Sequence, residues 1–476
     1  DFFMTAFLVA LVALLLGFFI YGSIVEKFFK PTDAPTPAIT KNDGVDFVPL
    51  PTWKIFMIQL LNIAGLGPIF GALGGAIWGP SVYLWIVLGT IFAGGVHDYL
   101  SGMISLREGG KSLPEIVGKY LGGTALTVMR FFLVALMILV GAVFTVGPAG
   151  LLKMLTGISV PVLIVLILAY YFLATLLPID KVIGKLYPLF GICFIIMALG
   201  VMGGMLFLSG AEMPELQLAN LHPDDLPIFP FMFITVACGA ISGFHATQSP
   251  MMARCLTNEH LARPVFYGAM ICEGIIALIW AAAGITFYHG TSELSAALSA
   301  NGAGAVVYDI CKGFMGSGIG MALAMIGVII CPITSGDTAL RSARLILADW
   351  VNFAQDKLQR RLILSVPIIL IAGLITQLDF DVIWRYFAWL NQSLATIVLW
   401  TGAVYMTKKF GRRAFLIPFI PAVYMTVVTV TYIIQAPEGL QFAPIVGNVV
   451  AIIFAAVCSL QFLKTYQPNF KLSAKF

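Results

Sequence analysis

The sequence predicts an all-α polytopic membrane protein of about thirteen transmembrane helices, built as two five-helix repeats of opposite topology. Three observations carry this reading. Hydrophobic residues make up 60% of the 476 and charged residues only 11%, with a mean hydropathy of +0.97, whereas ordinary globular chains carry about 25% charge. Thirteen apolar segments are each long enough to span, since ~20 residues cross the hydrocarbon core. Two of those segments, five apart, are interrupted by glycine-rich strings: GLGPIFGALGG at 65–75 and ACGAISGFHATQSP at 237–250.

In chain order the segments lie at 2–25, 53–74, 80–103, 124–150, 160–178, 184–209, 228–249, 264–288, 316–336, 362–378, 382–405, 414–434 and 443–464. Lysine and arginine collect in cytoplasmic loops. Alternate loops from Glu26–Lys54 onward hold 23 of the 27, and the opposite set holds only Lys153 and Lys312. That asymmetry places Asp1 outside and the C-terminus in the cytoplasm. With 2–25 set apart as an extra N-terminal helix, 53–209 forms the first repeat and 228–405 the second, inverted one. Two peripheral helices occupy 414–464, and residues 1–476 form a single transporter domain. The interrupted segments become helices 1 and 6, at matching positions of the two halves. A helical stretch at 111–121 on the inside mirrors one at 303–314 on the outside, as inverted repeats require. Residues 31–51, with five prolines, read as a tethered loop. The chain opens directly on an apolar run at Phe2, with no cleavable signal peptide, which leaves open a trimmed start.

Broken helices 1 and 6 in two inverted halves are the LeuT-type five-plus-five architecture. A closer resemblance rests on long strings. IAGLGPIFGALGGAIWG, GGVHDYLSGMISLREGGKSLPEIVG, ACGAISGFHATQSPMMARC and CPITSGDTALRSARLILAD resemble the carbon starvation protein A (CstA) family, as does the loop TPAITKNDGVDFVP. The resemblance implies inner-membrane uptake carriers with pyruvate and small peptides as substrates. Many longer members carry a histidine pair before the first break, where this chain has Gln59, Leu60 and Leu61. No role of that pair transfers here.

A glycine–proline break frees backbone groups that lipid cannot satisfy, so it is tolerated only inside protein or along a polar cavity. Half-helix ends there favour a carboxylate at free N–H groups and a cation at free carbonyls. Substrate contacts are therefore expected from Gly65 and Gly67 at the first break and from Gly239, Ser242, Gly243, His245, Thr247 and Gln248 at the second. The alternative is that these glycines merely permit close helix packing.

In LeuT-type carriers a cation lies between helix 1 carbonyls and helix 8 hydroxyls. Ala64 and Gly67 with Thr334 and Ser335 match that arrangement as a possible Na+ site, with Asp337 less than a turn on. A Thr-Ser pair also commonly bonds back to its own helix. Titratable groups within spans are functional candidates by default. Glu273, the deeper carboxylate, is the first choice for proton coupling or else a buried, permanently hydrogen-bonded group, and His97 is able to titrate near neutral pH. Asp98 reads either as a coupling group or as an anchor to Arg107 or Lys111, since neighbours on a helix point to different faces and need not bond. Lys181 and Lys185 offer a cation in place of sodium or simply snorkel to the interface. Arg385 near the outer end of helix 10 either attracts an anion or pairs with Asp379 or Asp381. Asn391 and Gln392 add polar groups to the cavity or bond helix to helix.

A solute carrier coupled to H+ or Na+ is the leading expectation, with no other cofactor, a small-molecule or peptide substrate and the lipid bilayer as its partners. A membrane enzyme lacks a catalytic constellation here: the five histidines are scattered, with no HExxH, and the seven cysteines form no CxxC or zinc pattern. A nutrient sensor on the same fold is the alternative, although no cytoplasmic loop is long enough for a soluble core. Nothing suggests nucleic acid.

Overall fold

The computed structural model describes residues 4–44, 47–176, 180–207, 213–354, 357–411 and 413–467. Helices stand at each of the thirteen expected places, and no strand occurs among the described residues. By length and apolarity, nine of the described helices can cross a membrane. The number is ten when Thr52–Ala64 and Gly67–Ala76, bent by 52°, count as one span. The difference from thirteen has physical causes. Val160–Leu176 is short, Ile228–Gly239 is half of a broken span, and Phe380–Phe410 carries Asn391, Gln392 and three tryptophans.

Both expected breaks are present. Thr52–Ala64 ends at Gly65, whose φ of 45° and ψ of −136° glycine adopts without strain. The chain resumes in a wide π-helical turn, Gly67–Gly71. In the second half, Phe233–Val236 ends at Ala237, with φ 46° and ψ −119°. A short 3-10 turn and an irregular stretch follow before His245–Ala253.

The two breaks meet. A Cβ on Gly67 would lie 2.4 Å from the Cys238 Cβ, and one on Gly71 would lie 2.3 Å from the Val236 carbonyl oxygen. Here glycine is required for close approach, so the packing reading is realised at these positions. Helix Gly268–Tyr288 runs along both breaks, with Ala277 against Gly239. The spans Gly123–Thr156 and Ile319–Trp350 pack extensively, as do Val160–Leu176 and Leu358–Ile375.

The short connecting helices also fall where expected. Leu113–Leu121 starts with a capping box in which Ser112 and Glu115 satisfy each other's orphan groups. Residues 303–314 belong to Thr291–Met315, which kinks at Gly302 (φ 78°). The proline-rich loop lies against the end of the second broken helix. Thr36 Oγ1 donates to the Leu256 carbonyl at 2.5 Å, and Leu50 N–H donates to that of Cys255 at 3.2 Å.

Candidate functional site

Four titratable side chains form one buried chain across three helical segments. His97 and Asp98 lie on Val82–Arg107, His245 opens the half-helix after the second break, and Glu273 lies on Gly268–Tyr288. All four are fully buried. His97 Nδ1 is 2.7 Å from Asp98 Oδ1, and His245 Nδ1 is 2.8 Å from Asp98 Oδ2. His245 Nε2 then stands 3.1 Å from Glu273 Oε2. That last pair is close enough for charge attraction but too poorly aligned for a hydrogen bond.

The sequence alone treated these residues separately, and two expectations for Asp98 are corrected. It bonds its own neighbour His97, and it does not anchor Arg107. Arg107 instead forks onto Glu259 at 3.0 Å and caps the carbonyls of Phe29 and Lys30. The reason lies in the segment just before. Thr90–Gly94 forms a wide π-helical turn, in which a Cβ on Gly94 would lie 2.2 Å from the Ala240 carbonyl oxygen. The helix thus comes close enough to the second break for Asp98 to reach across to His245.

The freed backbone of that break is satisfied by two helices. Thr90 Oγ1 donates to the Gly239 carbonyl at 3.2 Å. From Phe380–Phe410, Asn391 Oδ1 accepts the Phe244 N–H at 2.7 Å, and the Asn391 carbonyl accepts the Gly243 N–H at 3.0 Å. The Asn391 amide also contacts Ser242 Oγ at 3.0 Å and Cys238 Sγ at 3.1 Å. Asn391 was named in the sequence only as one of two polar groups on its helix. Its role here has no linear signal, because the chain brings it in from ~150 residues away. Gln59 ties the two broken helices together, donating to Ser249 Oγ at 3.3 Å.

Other expected substrate groups are turned elsewhere. Thr247 Oγ1 donates to the Phe244 carbonyl, and Gln248 donates to Thr247. Gly65 packs against Phe144 and Gly243 against Asn391 and Leu394.

The expected cation ligands divide. Thr334 Oγ1 donates to the Ile330 and Cys331 carbonyls of its own helix. Ser335 Oγ is buried and without a partner. Asp337 pairs with Arg341 at 3.2 Å and lines a small cleft with Tyr171, Thr175 and Ser365, so it belongs to a different face. The helix reaches the first break through Cys331, whose thiol donates to the Leu61 carbonyl at 3.3 Å, one turn before Gly65 and close to Ala64. Arg385 pairs with Glu438 at 3.2 Å and not with Asp379 or Asp381. The side chains of Lys181 and Lys185, like Asp1, lie outside the described residues.

Donor atoms of Cys238, His245 and Glu273 lie within 4.8 Å of one another. The thiol is already engaged by Asn391 and Ser242, and His245 by the two carboxylates, so the set is accounted for as an ion-paired network. A separate lateral cleft of about 490 Å³ lies between Leu84, Trp85, Phe92, Phe233 and Tyr424. Its walls are apolar and hold none of the four chain residues.

The family model for carbon starvation protein CstA matches residues 3–206, 149–294 and 289–432. A Haemophilus influenzae protein described as an uncharacterized membrane protein is 41% identical over 348 residues, covering 62% of this chain and 94% of that protein. The peptide transporter CstA of Campylobacter jejuni is 29% identical over 335 residues, or 56% of this chain and 47% of that one. The pyruvate/proton symporter BtsT of Escherichia coli is 30% identical over 324 residues, or 54% and 45%. The matches to these last two thus span about half of their length.

Proposed function

We propose that this chain, which belongs to the carbon starvation protein CstA family, is a secondary carrier importing a small organic acid of the pyruvate kind, or a small peptide, across a bacterial inner membrane. The observation that carries this is the crossing of two broken helices at their breaks, with a buried chain of histidines and carboxylates attached to the second. Polar groups of this kind inside a membrane protein are costly and mark solute or ion pathways. The names of two relatives, a peptide transporter and a pyruvate/proton symporter, agree in substrate class.

The reading includes a five-plus-five inverted repeat, one half spanning 53–209 and the other 228–405. Matching backbone kinks at Gly65 and Ala237 support it. So do the contacts that pair the third with the eighth helix and the fourth with the ninth. Alternating access then consists of rocking helices 1, 2, 6 and 7, which hold the breaks and the buried chain, against the third, fourth, eighth and ninth. The lysine- and arginine-rich loops face the cytoplasm.

Uptake of labelled pyruvate and labelled trialanine into proteoliposomes holding only this protein tests the proposal. Accumulation of one solute under an imposed ion gradient, reduced by His245→Ala in folded protein, is the expected result. No flux of either solute from folded wild-type protein overturns it.

A further inference from the structure

The four-residue chain has a definite proton count. Asp98 lies within hydrogen-bond distance of Nδ1 of both imidazoles. An ionised carboxylate accepts from both, which fixes a proton on each Nδ1. The positions left open are Nε2 of each ring and the Glu273 carboxylate. His97 Nε2 and both Glu273 oxygens are buried without hydrogen-bond partners, and His245 Nε2 faces Glu273 Oε2 at 3.1 Å.

With one proton between His245 Nε2 and Glu273, the chain holds one net negative charge: either imidazolium with carboxylate or imidazole with carboxylic acid, beside ionised Asp98. With two, one on each group and none on His97 Nε2, which faces no partner for a proton there, it is neutral. Among the described residues, no lysine or arginine faces the chain to offset the difference. The titratable groups facing Glu273 are His245 and Asp98 across the break and Cys331 from Ile319–Trp350. Cys238 from the other side of the break faces His245. An unpaired charge in a dry interior is strongly disfavoured. The closed arrangement, with all four groups at zero exposure, therefore fits the neutral, doubly protonated chain.

We infer that the carrier closes only after Glu273 and His245 have together taken up one extra proton, so that the second break and the seventh helix form the proton-coupling site. The proton enters from water when the cavity is open to one side, binds the Glu273 carboxylate and leaves to water on the other side. No bond other than that to the proton changes. This rests on the carrier reading, and it assigns coupling to the His245–Glu273 pair in preference to the Thr334–Ser335 region.

Two measurements on the full-length protein test it. Infrared difference spectra of purified protein, titrated across neutral pH, are expected to show the carbonyl stretch of a protonated carboxyl in a dry site. The band is expected to vanish in Glu273→Gln and to return, displaced, in Glu273→Asp. Its absence from folded wild-type protein overturns the inference without bearing on transport. In proteoliposomes, the ratio of proton-driven accumulation to solute exchange is expected to fall by about tenfold or more in Glu273→Gln. The exchange that remains is expected to lose its pH dependence, which a merely structural role for Glu273 would not remove. Uptake driven by sodium alone, with that ratio unmoved by Glu273→Gln, overturns the inference while leaving the carrier reading intact.

Discussion

Gly65 and Ala237 adopt the same backbone kink at the two breaks, with φ of 45° and 46° and ψ of −136° and −119°. Glycine takes that conformation freely, whereas alanine holds it only under strain of about 1–3 kcal/mol. The second break therefore carries a local cost that the first lacks. Ala237→Gly is expected to raise the melting temperature in detergent, by the equivalent of about 1 kcal/mol. Gly65→Ala is expected to lower it, because the added Cβ would lie 2.7 Å from the Phe144 ring as well as being strained. Thermal unfolding of the two variants against wild type checks the pair, and equal shifts would contradict the asymmetry.

Asn391 holds the second break from outside it. Its side chain accepts the Phe244 N–H and contacts Ser242 and Cys238, all of them buried. Asn391→Ala leaves the Phe244 N–H without its acceptor, at a cost of about 1–3 kcal/mol. Faster amide hydrogen exchange across residues 242–246 is the expected signature, together with a lower melting temperature. Unchanged exchange would mean that the break is held by Thr90 and local turns alone.

The two breaks were legible in the sequence because glycine and proline inside an apolar run leave backbone groups that need a partner. The identity of the partners was not. Asn391 and Thr90 come from distant helices, and nothing in a linear pattern tells Asn391 from Gln392. Three members of the buried chain, His97, Asp98 and Glu273, are legible as intramembrane titratable groups and His245 as a substrate contact, yet their connection depends on the π-helical turn at Thr90–Gly94. No periodicity in the sequence marks that turn. The sequence offers Thr334 both as a cation ligand and as a hydroxyl that bonds its own helix, and the structure has the second arrangement, while Asp337, expected beside it, pairs with Arg341.

Arg107 and Glu259 join three pieces of chain. The guanidinium forks onto Glu259 and caps the carbonyls of Phe29 and Lys30, and Glu259 also accepts the Thr32 N–H at 2.8 Å. A lysine cannot reproduce that fork. Arg107→Lys is expected to loosen the segment between the N-terminal helix and the first broken helix. Limited proteolysis within residues 31–51 should quicken in the variant, and wild-type cleavage rates would show that other contacts suffice.

Glu108 gives a pH-dependent contribution outside the spans. Burial alone would raise its carboxyl, but hydrogen bonds from Lys119 and Tyr120 outweigh this and hold it below the usual carboxylate range. A depressed carboxyl stabilises the fold above its unfolded pKa, and that contribution is lost as pH falls through the folded value. Acidification below about pH 4.5 should therefore destabilise wild type more steeply than Glu108→Gln. Parallel melting curves for the two proteins from neutral to acid pH would refute the role.

Sodium removal separates the two possible coupling regions. A cation between the first break and Ile319–Trp350 would need free carbonyls on one side and free hydroxyls on the other. The Leu61 carbonyl accepts the Cys331 thiol and Thr334 donates to its own helix, so of the two expected hydroxyls only Ser335 Oγ has no hydrogen-bond partner. One hydroxyl is a poor cage for an ion that must shed most of its water. The His245–Glu273 pair, by contrast, gains charge neutrality from a single proton. Replacing sodium with choline on both sides of the proteoliposome is therefore expected to change proton-driven uptake by less than about twofold. Collapse of uptake in choline, with recovery on adding sodium, would mean that Thr334 breaks its helical hydrogen bonds to join Ser335 in a cation site.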